Sequence, residues 1–304
     1  MFVINSSLTI FSTLYILIAL EWSFAYLFVQ SDGVGFTLAS KRWFYENWNP
    51  INSYGYRDYE PEWKDKLIFV VGDSFVAGHG IKNINDRFSN ILSKKLGNSW
   101  CVTILAQNGW DPQDYIKALT SHEKKPDVIL VSYFINDIQS SASINGIKMP
   151  QLSNAPNRWI RPFVDYSYLF NWIYWRVYRG EIGSASFQEY LKRAYTDDNV
   201  WKTHTQELNA LIAYANQTDA KIVFIIWPFL KDVTGSIYIT SKIFKYLDSK
   251  GVMAINLSKH FEKRDPETLI VNAMDAHPNA AVNAEISQLL YEALLPFGLT
   301  PTKR

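Results

Sequence analysis

After position 66 the chain carries five short apolar runs, at 67–71, 101–106, 128–133, 222–227 and 252–257. They are nearly continuous in β-branched and aromatic residues, the pattern of strands buried on both faces rather than of strands with one wet face. Between them, mixed polar and apolar periods predict helices at 86–96, 112–121, 198–216 and 235–249. A last helix is expected to begin at Pro278, with Val282, Ile286, Leu289, Leu290, Ala293 and Leu294 on one face. Proline suits a first helical position, where its missing N–H would be unpaired anyway. Such alternation predicts an α/β fold, a parallel sheet covered on both faces, with function beyond the carboxyl ends of its strands.

Three stretches break the pattern. Residues 8–29, "LTIFSTLYILIALEWSFAYLFV", are apolar except for Glu21 and a few hydroxyls. About 20 helical residues cross a hydrocarbon core of ~30 Å, so the stretch is long enough for a membrane anchor. Trp22, Tyr26 and Phe28 near its far end suit an interfacial belt. No basic region precedes it and no small-x-small site follows, which disfavours a cleavable signal peptide; a buried core helix is the other reading. Residues 30–65 read as an aromatic, turn-rich connector punctuated by Pro50, Gly55 and Pro61. Residues 138–196 are too long for a simple crossover. Their middle, "WIRPFVDYSYLFNWIYWRVYR", is rich in aromatics and edged by arginines: a helix packed on the core, a lid, a sugar-stacking groove or a membrane-surface contact.

Composition narrows the function. Thirty Lys and Arg against 29 Asp and Glu give a net charge of +1, with no basic block for a nucleic-acid partner. The single Cys101 forms no intrachain disulfide, and no Cys/His cluster implies zinc. Lys41 and Arg42 follow the apolar segment and none precedes it, which leans toward a cytoplasmic C-terminal part.

The chemistry begins at "VGDSFV", residues 71–76. Ser74 follows the first strand, and Gly72 permits a bend that a side chain would obstruct. A strand-to-helix turn exposes the serine Oγ and aims backbone N–H groups at an oxyanion, but the string is not G-x-S-x-G. Among five histidines, His79 sits in a glycine-rich stretch, His122 and His260 in charged helix ends or loops, and His204 on a polar helix face. His277 stands in "MDAHPN", after the fifth strand, with Asp275 two residues upstream. An aspartate there can hold the imidazole tautomer that leaves Nε2 free to take a serine proton, or the pair can simply cap the next helix. Gly109, in "AQNGWD", offers a bare backbone N–H after the second strand; Ala106 is an alternative for that place. Asn136, in "SYFINDI", offers a side-chain amide after the third.

Gly72-Asp73-Ser74, Gly109, Asn136 and Asp275-x-His277 stand in the order of the SGNH, or GDSL-like, hydrolases, which the chain resembles over about 67–297. The preceding "NSYGYRD" resembles the lead-in of membrane-anchored bacterial members. The resemblance implies a flavodoxin-like three-layer α/β/α sandwich with a five-stranded parallel sheet, plus an N-terminal transmembrane helix. It implies ester chemistry with Ser74 as nucleophile, His277 as base, Asp275 as its orienter, and an oxyanion hole of the Ser74 and Gly109 amides and the Asn136 side chain. No metal or cofactor is expected. Two departures stand out: Phe134 occupies the place of a usual glycine, and Met274 that of the usual aspartate. The expected division is an anchor at 1–29, a connector at 30–65 and a catalytic domain at 66–304. The expected activity is a serine esterase on acyl, above all O-acetyl, esters of cell-surface carbohydrate, outside the cytoplasmic membrane. O-acyl transfer to a glycan, a lipid substrate, and a non-catalytic glycan-binding or assembly role are the alternatives.

Overall fold

A computed structural model describes residues 2–150 and 156–297. In chain order its helices and strands are α1 (Phe2–Tyr26), α2 (Leu38–Asn47), β1 (Lys66–Gly72), α3 (Ser74–Ala77), α4 (Phe88–Leu96), β2 (Trp100–Ala106), α5 (Pro112–Ser121), β3 (Val128–Phe134), α6 (Gln139–Ile144), α7 (Arg161–Tyr166), α8 (Tyr168–Thr196), α9 (Asp198–Gln217), β4 (Lys221–Trp227), α10 (Val233–Ser249), β5 (Met253–Asn256), α11 (Ser258–Phe261), β6 (Ile270–Asn272), β7 (Asp275–Pro278) and α12 (Ala280–Leu294).

Two compact units share these elements. One joins residues 1–47 to 150–187, and the other joins 48–149 to 188–304. The expected connector and the insertion at 138–196 are therefore each divided between units, and residues 151–155 and 298–304 lie outside the described residues. The connector is also less irregular than its turn residues imply, since α2 occupies 38–47.

The larger unit is built on a parallel sheet of order β2-β1-β3-β4-β5. The apolar runs form it for the reason their composition gives: Ile68 to Val71, Ile129 to Val131 and Val223 to Trp227 are all buried. From β1 the chain moves one way along the sheet to β2, then back past β1 to β3 and onward to β5. Right-handed crossovers put α4 on one face and α5, α9 and α10 on the other. The packing agrees: α4 lies against α12, α5 against α9, and Trp201 of α9 against Tyr246 of α10. This is the three-layer flavodoxin-like arrangement, whose ligand crevice lies where the strand order reverses, between β1 and β3. Gly72 closes β1 in that crevice, level with Ala106 of β2 and Ser132 of β3. A Cβ on Gly72 would run into the Val76 side chain and come within 3.2 Å of the Ser132 carbonyl oxygen.

The last helix starts two residues later than expected. Pro278 ends β7, and Asn279 caps α12 by accepting from the Val282 N–H at 3.0 Å. His204 also differs from its expected polar face: it is fully buried, 2.7 Å from the Tyr133 hydroxyl and 3.0 Å from Glu207.

The smaller unit contains α1, α2, α7 and the start of α8. Ser7–Tyr26 is long and apolar enough to cross a membrane, and most of its side chains are exposed. Its one charged residue is satisfied: Glu21 accepts from the Ser167 hydroxyl at 2.7 Å and from the Tyr168 and Leu169 N–H groups at 2.5 and 3.2 Å.

Candidate active site

Ser74 opens α3 directly after β1. Asp73 sets the turn by accepting from the Phe75 N–H at 2.9 Å. The Ser74 hydroxyl lies 2.8 Å from His277 Nε2, across 203 residues of sequence. On the other side of the ring, Nδ1 lies 2.6 Å from Asp275 Oδ1. D-x-H works as a spacing because Asp275 and His277 both lie on β7, and residues two apart in a strand project to the same side. The short pairing with β6 and the Asn272 side chain, which accepts from the Met274 and Asp275 N–H groups, hold that strand in place. Asp275 is fully buried, whereas Ser74 and His277 are partly open to solvent.

Asn136 lies in the turn Ile135–Ile138 after β3, its Oδ1 buried with no hydrogen-bond partner among the described residues. Tyr195 donates to the Ile135 carbonyl at 2.9 Å and, with Tyr133 and His204, forms a buried network behind this turn. Gly109 is exposed in the turn after β2, with φ at 78°. Ala106, the alternative, is the buried last residue of β2. Phe134, in the place of the missing glycine, stacks on Phe75 at 4.3 Å, and Phe75 packs against the His277 ring.

Burial pushes the Asp73 carboxyl up to about 6, against the pull of the Phe75 N–H and the nearby His277. Asp137, next to Asn136, is pushed well above the usual carboxylate range by burial and then by the Asp73 charge; it accepts from the Tyr115 hydroxyl at 3.1 Å. Both carboxyls are buried, and neither is hydrogen-bonded to His277.

Sequence reasoning passed over His79. Its ring stacks on His277 with centroids 4.4 Å apart and planes 3° from parallel, and its Nε2 lies 3.9 Å from Asp275 Oδ2. Gly80 makes that approach possible: a Cβ there would sit 2.8 Å from Asp275 Oδ2. Trp48 packs edge-on against the outer side of His79. The loop is clasped by Arg57, which donates to the carbonyls of Ala77, Gly78, Ile81 and Lys82. Arg87 in turn donates to the Arg57 carbonyl and, at 2.7 Å, to Asp58. Burial, with Arg87 adding repulsion, pushes Arg57 down to about 9, so it stays charged at neutral pH. Arg57 and Asp58 of the lead-in thus belong to a clasp on the loop that carries His79. Only the glycines flanking the histidine signalled it in the sequence.

No family model matches the chain, and no curated protein matches it. Solved structures of similar fold include TesA (14% identity, TM-score 0.47, 76% of this chain and 99% of that one). Another is the psychrotrophic esterase EstA from a Pseudoalteromonas species (13%, TM-score 0.46, 77% and 98%). A third is a lipase/acylhydrolase from Enterococcus faecalis (12%, TM-score 0.47, 79% and 100%). For this chain, the strand order and parallel register define the fold.

His79, Asp275 and His277 also bring three donor atoms within 4.8 Å of one another. Within that group, Asp275 Oδ1 and both His277 ring nitrogens are already engaged, Oδ1 with Nδ1 at 2.6 Å and Nε2 with the Ser74 hydroxyl at 2.8 Å. Chemically, the arrangement is a hydroxyl next to a base whose tautomer is fixed by a carboxylate.

Proposed function

We propose that the protein is a serine esterase that cleaves acyl esters through an acyl-enzyme. The observation that carries this reading is the unbroken line Ser74 Oγ–His277 Nε2, His277 Nδ1–Asp275 Oδ1, at 2.8 and 2.6 Å. Ser74 Oγ attacks the ester carbonyl carbon as His277 Nε2 takes the hydroxyl proton. Asp275 keeps the imidazole in the right tautomer and stabilises the imidazolium. The oxyanion is met by the Ser74 and Gly109 N–H groups and the Asn136 amide, three donors from the ends of β1, β2 and β3. Collapse breaks the bond to the alkoxide, which leaves with the proton from His277. Water, deprotonated by the same imidazole, then attacks the acyl-serine, releasing the acid and restoring Ser74.

The substrate we favour is an O-acetyl ester of cell-surface carbohydrate. Trp110, next to Gly109 in the chain, packs edge-on against Tyr56, and an aromatic pair adjoining a proposed oxyanion donor suits a sugar substrate. Helix α1 then serves as a single-pass membrane anchor, with the chain that follows it outside the cytoplasmic membrane. A panel of acyl esters, run with and without a glycan acceptor, tests the reading. Acetate release from O-acetylated glycan that is lost in Ser74→Ala is expected. Acetyl transfer without acetate release would make it a transferase, and turnover of none of the esters would overturn the esterase.

A further inference from the structure

The smaller unit carries an apolar surface that its own packing leaves open. Along α7 and the residues leading into it, Trp159, Phe163 and Tyr166 recur at helical spacing, 72%, 58% and 85% exposed. Phe170, Ile173 and Val177 continue the stripe on α8, and the rings of Phe163 and Phe170 meet at 5.7 Å, so the two halves form one surface. At 100° per residue this stripe lies well away from Trp172, the α8 residue that packs on Phe24 of α1. The Asn171 side chain ties the two helices together by donating to the Val164 carbonyl at 2.8 Å.

What covers such a surface follows from its level along α1. Glu21 fixes that level, because its carboxylate takes the Ser167 hydroxyl and the first two amides of α8. Glu21 precedes the end of α1 at Tyr26 by five residues, about 7.5 Å of helix. From there α8 leads outward: Trp172 meets Phe24, Asn171 accepts from the Leu38 N–H, and Trp175 stacks on Phe36. The junction of α7 and α8 therefore lies beside the last turns of the apolar helix, at the depth of ~5–10 Å to which interfacial helices sink their apolar faces. Cations also flank it as at a headgroup boundary: Arg158 covers Trp159 and Arg176 covers Trp172, at 4.6 and 4.8 Å.

We propose that the α7–α8 stripe is a second, monotopic membrane contact, seated in the headgroup and acyl boundary next to the end of α1. The proposal rests on reading α1 as a membrane anchor. Its occupant is the lipid bilayer, with anionic headgroups facing the arginines. This also accounts for Glu21: a carboxylate near the membrane, costly alone, caps the helix that carries the interfacial surface.

The full-length protein, with buried Cys101 replaced by alanine, is reconstituted in phosphatidylcholine vesicles containing phosphatidylglycerol. Single cysteines at Leu14, Phe163, Ile173 and Lys259 carry an environment-sensitive fluorophore, and lipids with nitroxides at shallow or deep acyl positions quench it. The labels at Phe163 and Ile173 are expected to lose roughly half their intensity to the shallow quencher. The label at Leu14 responds to the deep one, and that at Lys259 to neither. Quenching at Leu14 with none at Phe163 and Ile173 overturns this proposal and leaves the anchor standing; no quenching at Leu14 removes the anchor itself. Quenching of native tryptophan by brominated lipid, weaker in Trp159→Phe than in the wild type, repeats the test without a label. An unchanged signal there counts against the contact.

Discussion

Asp275 and Glu21 are carboxylates that each hold several donors, one in each compact unit, yet their partners differ in kind. Asp275, fully buried, accepts from the His277 N–H at 3.0 Å and faces His277 Nδ1 at 2.6 Å, so its main partner is a ring that can gain and lose a proton. Glu21 accepts from a hydroxyl and two helix-end amides, none of which titrates in the ordinary range. In the proposed mechanism the first carboxylate biases a proton transfer, while the second finishes a helix end. The same chemical group therefore predicts opposite consequences when it is removed.

The largest effect separates them most clearly. Asp275→Asn keeps the size of the side chain but favours the wrong imidazole tautomer, and kcat on a soluble acyl ester should fall by about 10³–10⁴-fold. A fall of less than tenfold would place the proton chemistry elsewhere. His79 comes next. His79→Ala removes both the stacked ring and the nitrogen near Asp275, and should cost roughly 10-fold in kcat, with KM little changed, through a less well held His277. His79→Phe restores a ring and should recover part of the loss. Equal kcat in the wild type and both variants would make the histidine stack incidental. Glu21→Ala gives the smallest effect. It should leave turnover of a soluble ester within about twofold, but raise hydrogen exchange at Tyr168 and Leu169 about fivefold, as loss of a cap worth ~1 kcal/mol would. A large loss of turnover would erase the contrast between the two carboxylates.

Much of this was legible in the sequence because burial on both faces leaves a strong mark. Four of the five apolar runs are strands whose side chains the sheet largely encloses, such as Ile129 to Val131, whereas β5 at the sheet edge is only half-buried. Ser74, Asp275 and His277 were legible as a set because each follows or lies near a strand end, although only folding could show them in contact across 203 residues. Strands β6 and β7, of three and four residues, are too short to leave a pattern, so Pro278 read as a helix start. His204 read as a surface residue because its neighbours on α9 are polar; the hydroxyl of Tyr133, 71 positions away, and the nearby Glu207 carboxylate are what make its burial tolerable. His79 was missed for a related reason. Its importance lies in a ring contact with a residue nearly 200 positions away, and the arginine clasp that positions it lies in what read as a connector.

The nucleophile is the claim on which the rest depends, and it can be tested directly. The purified full-length protein is treated with a fluorophosphonate, and the modified residue is located by peptide mass spectrometry. A single phosphonyl adduct on Ser74, absent from Ser74→Ala and strongly slowed in His277→Ala, is the expected result. No adduct on the wild type, or equal labelling of Ser74→Ala, would contradict it.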